Sequence, residues 1–296
     1  MNFMKPALSY LKYVTHAWKN LCDFPSTKHL FKVAQFSTHT NNRYRVHIIP
    51  ALKDNYMYLL TDKVLNFGIA VDPVEPQKIL DTLAAEGLDL KAVITTHHHF
   101  DHAGGNKQIS EMVKNLTIYG GDERIDSLTE KVSHNQTFKI GDLVFRCLHT
   151  PCHTSGHVCY FIDGDSYREP ICFSGDSLFI AGCGRFFEGS AEDMFRSLSI
   201  LSTLPLNTKV YCGHEYTVNN LKYALSVEPD NKAAVEKLKE VQEKFKRNEP
   251  SVPSTIGQEL SYNPFLRVDK KSLQLHTNET DPVAVMAALR KLKDNF

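Results

Sequence analysis

The chain has 296 residues, 42% of them hydrophobic and 23% charged, which is enough for a sizeable core in one large domain with an appendage or in two modest domains. Lys plus Arg and Asp plus Glu balance at 34 each, so no global field draws the protein to nucleic acid or to an anionic membrane. No apolar run approaches the roughly 18 to 20 residues that cross a bilayer, and seven cysteines without a CxxC pair speak against a disulfide framework and for a reducing compartment.

In chain order, residues 1–44 stand apart, with Lys5, Lys12, Lys19, Lys28, Lys32 and Arg43 against the single acid Asp23. Three of these lysines recur beside an apolar stripe of Leu8, Leu11, Val14, Trp18 and Leu21, so a helix there is amphipathic with a basic edge. This is the pattern of a mitochondrial leader and predicts the matrix as destination; a leader with no address and a cytoplasmic protein is the alternative. From 45 onward the pattern alternates between strands and helices. Strands are predicted at 45–50, 57–61, 68–71 and 92–95, with a helix at 75–85 and another at 106–113 opening from Gly104-Gly105. Further strands are predicted at 143–148, 158–162, 171–173 and 209–212, with a helix at 191–204. Beyond Tyr216 the pattern turns helical, at 218–225, at 231–247 and, after a proline-containing loop, at 282–294. The expectation is a layered α/β domain over 45–217 followed by a helical domain over 218–296.

The chemistry begins where the 92–95 strand stops, at Thr96-His97-His98-His99-Phe100-Asp101-His102. A lone histidine is more often packed or exposed than a ligand, but HxHxDH reverses that expectation. His97 and His99, two apart on an extended loop, face one ion, while Asp101 and His102 face a second. His98 points away. Two ions need more donors than one loop supplies, and three others end later strands: His153 in Thr150-Pro151-Cys152-His153, Asp176 in Ser174-Gly175-Asp176-Ser177 and His214 in Cys212-Gly213-His214-Glu215. Only the Asp176 carboxylate can bridge. The expected sets are therefore His97, His99, His153 and Asp176 for one ion, and Asp101, His102, His214 and Asp176 for the other. His157 is expected as support only, and Asp72 either orients a ligand histidine or caps the turn before Pro73.

HxHxDH with the downstream His, Asp and His resembles the metallo-β-lactamase superfamily. The segments Asp54-Asn55-Tyr56-Met57-Tyr58, 96–106, 150–157, 175–189 (GDSLFIAGCGRFFEG), 211–220 and Asn263-Pro264-Phe265 are similar more closely to glyoxalase II, or hydroxyacylglutathione hydrolase, from about residue 45 to the end. The resemblance implies an αββα sandwich with a C-terminal helical domain that binds glutathione. It also implies cleavage of S-D-lactoylglutathione to D-lactate and glutathione by a monomer holding two divalent ions, zinc first, with iron or manganese possible. By position in that family, Arg290 and Lys293 hold the glycine carboxylate, and Tyr216, beside His214, hydrogen-bonds the glutathione backbone. Arg185 and Phe187 stand where the family commonly has Lys and Tyr, so charge is kept and a hydroxyl lost.

A water shared by two divalent cations ionises near pH 7, the cations stabilise the oxyanion, and a thiolate leaves without a strong general acid. Asp176 and Asp101 are the carboxylates in play, Asp101 as a proton shuttle besides a ligand. Two other readings stay open: a glutathione persulfide dioxygenase, which shares the HxHxDH loop, and a catalytically silent glutathione- or metal-binding relative.

Overall fold

A computed structural model describes residues 36–39, 43–165 and 168–296; apart from its last few residues, the expected basic leader lies outside them. The first sheet has seven strands: β1 (Phe36–His39), β2 (Tyr44–Ala51), β3 (Asn55–Asp62), β4 (Phe67–Val71), β5 (Asp89–Ile94), β6 (Thr117–Gly120) and β7 (Glu130–Lys131), paired in that order. The second runs β15 (Ser254–Thr255), β14 (Lys209–Cys212), β11 (Ile171–Gly175), β10 (Val158–Ile162), β9 (Leu143–His149) and β8 (Thr137–Ile140) across the sheet, and a short hairpin, β12 (Leu178–Phe179) and β13 (Gly182–Cys183), stands outside both. The helices are α1 (Pro76–Glu86), α2 (Phe100–Ala103), α3 (Asn106–Met112), α4 (Ala191–Ser202), α5 (Thr217–Val227), α6 (Lys232–Lys246), α7 (Ile256–Tyr262), α8 (Lys271–Thr277) and α9 (Pro282–Asp294). Among the described residues none is long and apolar enough to cross a membrane.

Each sheet is an antiparallel meander that passes into parallel pairing. β1 to β4 are antiparallel, then β4 and β5 run parallel across α1; β9 to β11 are antiparallel, then β11 and β14 run parallel across α4. Side-chain alternation sorts the strands into layers. Met57 and Leu59 of β3 join Ala70, Val93, Ile79, Leu83 and Ile109 beneath α1 and α3. Their alternates face the other sheet: the Tyr58 ring lies 5.5 Å from Phe173 and 5.2 Å from Tyr211. Cys159 and Phe161 of β10 turn outward to meet Met194, Leu198 and Leu201 of α4. The result is an αββα sandwich with a C-terminal helical region.

Several elements differ from expectation. The stretch expected as a leader holds β1, which pairs with β2 (Phe36 opposite Ile48), and strands β6 to β8 are too short to announce themselves by alternation. The loop expected between the two long C-terminal helices contains α7 and α8. α7 opens with a capping box in which the Thr255 and Gln258 side chains satisfy each other's backbone, a signal present in the sequence but not used. The C-terminal helices also share one core with the sandwich: Tyr223, Phe265, Val285, Met286 and Leu289 pack in the same cluster as Phe161, Cys172 and Val210. Residues 33–296 form one compact unit.

Candidate metal centre

Parallel strands end at the same edge of their sheet, so the loops that follow them meet there. Asp72 follows β4, the 97–102 loop follows β5, Asp176 follows β11 and His214 follows β14, while His153 follows β9 and Asp54 sits in the β2–β3 turn. Glycines allow the approach. Gly175 has φ +47°, turning the chain into Asp176, and a methyl group at Gly213 would collide with the Asp176 carboxylate and the His102 ring. The Gly213 amide donates to the Gly175 carbonyl at 2.9 Å, fixing the two loops to each other.

The seven donors expected from spacing converge. His97 Nε2 and His153 Nε2 each lie 3.1 Å from His99 Nδ1, and His153 Nε2 is 3.3 Å from Asp176 Oδ2. On the other side, His102 Nε2 and His214 Nε2 are 3.2 Å apart, His214 Nε2 is 3.3 Å from Asp101 Oδ2, and Asp176 reaches His102 through Oδ1 and His214 through Oδ2, both at 3.4 Å. His97, His153, His102, His214 and Asp176 are buried.

The far ends of the rings show which nitrogens are free. His102 Nδ1 donates to Asp72 at 2.9 Å, His214 Nδ1 to Asp54 at 2.8 Å and His153 Nδ1 to the Arg185 carbonyl at 3.1 Å, since those partners only accept. Thr96 Oγ1 gives its proton to Asp72 at 2.7 Å, so it accepts from His97 Nδ1 at 3.0 Å. In neutral rings these bonds leave four Nε2 lone pairs pointing inward; against the opposing effect of burial, neighbouring carboxylates led by Asp176 push His102 and His214 above their usual range, toward the form with a proton on Nε2 that a cation would replace. A tetrahedral ion with bonds of about 2.0 to 2.1 Å holds its donors about 3.3 Å apart, which is close to the spacing of these nitrogens and oxygens. Asp176 Oδ1, buried and without a hydrogen-bond partner, is the acceptor left over. Two cations fit this donor set. Burial, aided by neighbouring imidazoles, keeps His97 well below its usual range and pulls His153 down to about 4, so both rings offer neutral lone pairs at pH 7.

The metallo-beta-lactamase superfamily model matches residues 67–214, and the model for the hydroxyacylglutathione hydrolase C-terminus matches residues 215–296. A hydroxyacylglutathione hydrolase-like protein of Gallus gallus is 47% identical over 254 residues, covering 85% of this chain and 90% of its own. The cytoplasmic hydroxyacylglutathione hydrolase of Arabidopsis thaliana is 42% identical over 255 residues, covering 85% and 99%. The chain belongs to the hydroxyacylglutathione hydrolase family. In fold alone it is similar to ETHE1 from Myxococcus xanthus (TM-score 0.56, 23% identity, 89% of this chain and 98% of that one) and to a metallo-beta-lactamase from Staphylococcus aureus (TM-score 0.56, 19% identity, 89% and 72%).

The residues that the hydroxyacylglutathione hydrolase resemblance assigns to substrate lie around this centre in unequal states. Phe187, exposed, sets its ring 5.1 Å from His153 and 5.9 Å from His99. Tyr216 stacks on His214 at 4.7 Å with the rings parallel within 6°. The Arg185 guanidinium is exposed, 3.6 Å from Asp294, and its carbonyl is what touches the centre, through His153. The Arg290 guanidinium is drawn inward over Phe265, donating to the Cys183 carbonyl at 3.2 Å and to Asp294 at 2.9 Å. Lys293, on the same face of α9, is half-buried between the Tyr223 and Phe296 rings.

Spacing alone missed two supporting roles. Asp54 orients His214 across 160 positions of sequence, and Asn55 donates to the Asp101 carboxylate at 3.0 Å. Both stand in the quoted Asp54-Asn55-Tyr56 motif, with no local signal of what they hold. Of the supports that were expected, His157 Nε2 accepts from the Asp176 amide at 3.1 Å, and Asp72 orients His102 and also accepts from the Thr96 amide. His98 turns away from the centre toward Asp122 and Glu188.

Proposed function

We propose that this hydrolase cleaves the thioester of S-D-lactoylglutathione to D-lactate and glutathione, with His97, His99, His153 and Asp176 holding one divalent cation and Asp101, His102, His214 and Asp176 the other. The observation that carries the reading is the orphaned Asp176 carboxylate oxygen amid four inward Nε2 lone pairs, in a chain whose relatives are named for this activity over nearly their full length. Zinc suits this set of imidazoles and carboxylates, with iron or manganese as alternatives. When bound, two such ions lower the pKa of a shared water to about 7 and polarise a carbonyl.

The protein's own groups do the rest. Asp72, Asp54, Thr96 and the Arg185 carbonyl hold the imidazoles in the tautomer that leaves Nε2 bare. Asp101, half-exposed and fixed by Asn55, has the free edge needed to carry a proton from the attacking water. The Phe187 ring and Tyr216 bound the thioester, and the Lys293 ammonium pairs with a glutathione carboxylate. Arg290 keeps the Cys183 carbonyl, and with it the β12–β13 hairpin, against α9. The protein acts as a monomer, and the basic segment 1–44 serves as a mitochondrial address, which a fluorescent fusion retained in the cytoplasm would discard.

The test is thioester loss from S-D-lactoylglutathione by purified protein, with metal analysis and oxygen uptake on the same sample. Hydrolysis with about two metal ions per chain, abolished in Asp176→Ala and little changed in His98→Ala, is expected. Oxygen consumption with glutathione persulfide and no thioester loss would replace hydrolysis with the dioxygenase reading.

A further inference from the structure

One exposed guanidinium, Arg124, joins the loops around the mouth of the centre. It forks onto Asp122 through Nε at 2.9 Å and Nη2 at 2.6 Å, and onto Glu188 through Nη1 at 2.6 Å and Nη2 at 2.8 Å, with Nη2 also 2.9 Å from Ser155 Oγ. Glu188 accepts in addition from the Ser155 amide at 2.7 Å and its hydroxyl at 2.8 Å, and its own amide donates to the Cys152 carbonyl at 3.0 Å. Ser155 is two residues beyond His153, and Phe187 directly precedes Glu188. His98, the outward member of the ligand loop, sits 3.6 Å from Asp122 and 3.9 Å from Glu188. A methyl group at Gly156 would strike the Asp122 side chain, so the 120–124 and 153–157 loops are in contact as well.

We propose that Arg124 is a positioning residue for the thioester site: through Glu188 it fixes the 184–189 loop, so that the Phe187 ring stays across His153 and His99 and the Arg185 carbonyl stays on His153. This rests on the thioester hydrolase reading for its substrate. An isolated surface ion pair contributes little, but two bidentate forks sharing one guanidinium, with a further bond to Ser155 Oγ, link the 122–124, 155 and 188 segments through a single side chain. The ion pairs themselves are solvent-facing, so the effect falls on loop geometry rather than on global stability.

Arg124→Ala and Phe187→Ala, singly and together in the metal-loaded full chain, test this. Arg124→Ala is expected to raise KM for S-D-lactoylglutathione, and Kd for a non-hydrolysable S-alkyl glutathione thioether, about five- to tenfold, with kcat within about twofold and an unchanged melting temperature. Amide exchange at 186–189 should quicken, and the second substitution should add nothing to Phe187→Ala. Arg124→Lys, which cannot fork onto both carboxylates, should fall between. Parental KM and Kd in Arg124→Ala, unchanged exchange, or losses that multiply in the double variant would overturn the proposal. If the parent does not hydrolyse the thioester, the hydrolase reading alone falls, since exchange and thioether binding judge the clasp without turnover.

Discussion

At the scale of single residues, the centre depends on groups that never touch a cation. The Asp54 carboxylate accepts from His214 Nδ1. Removing it leaves every donor in place but frees the ring to rotate and to change tautomer, so Asp54→Ala is expected to weaken metal binding about 10- to 100-fold, measured by competition with a chelator. An Asp54→Ala protein with parental metal affinity would show that His214 is held by packing instead. Lys293 carries a pH dependence. Burial, with the neighbouring Arg290 cation, lowers it to about 8, so the ammonium proposed to pair with a glutathione carboxylate is present below that pH and lost as pH rises through it. The expected profile is a fall in kcat/KM above about pH 8 that disappears in Lys293→Arg, because a guanidinium stays charged. The same limb in both proteins would remove Lys293 from substrate binding.

At the scale of elements, the site is built from strand ends held at close range by glycine. A methyl group at Gly213 meets the Asp176 carboxylate and His102, at the junction of the β11 and β14 ends. Gly213→Ala should therefore lose metal and activity together while circular dichroism stays native. Ordinary metal content would mean that the two strand ends can part at little cost. The long amphipathic helices α1, α4, α6 and α9 were legible because each carries an apolar face over three or more turns. The β6 to β8 strands, α7 and α8 were not, because segments of two to seven residues hold too few side chains to establish a period and depend on the sheet or core that receives them.

At the scale of the whole molecule, metal and fold are linked. Cations that bind only the assembled loops stabilise the native chain by about 4 kcal/mol when present at 1,000 times their Kd, on the order of 10 °C in a protein of this size. Because α5, α7, α8 and α9 share a core with the outer face of the second sheet, chelation should lower one cooperative transition rather than split it. Two separated calorimetric peaks would show that the helical region melts independently.

Residue type and spacing were sufficient to single out the seven side chains that the fold brings together, because a metal centre needs nitrogen and oxygen ligands in fixed number and HxHxDH concentrates them locally. Partners set far apart in sequence were beyond that reach: Asp54 beneath His214, the Arg185 carbonyl behind His153, the inward turn of Arg290 and the Arg124 clasp. Those depend on which loops two parallel crossovers bring to one edge, and local periodicity carries no record of what meets across 160 positions of chain.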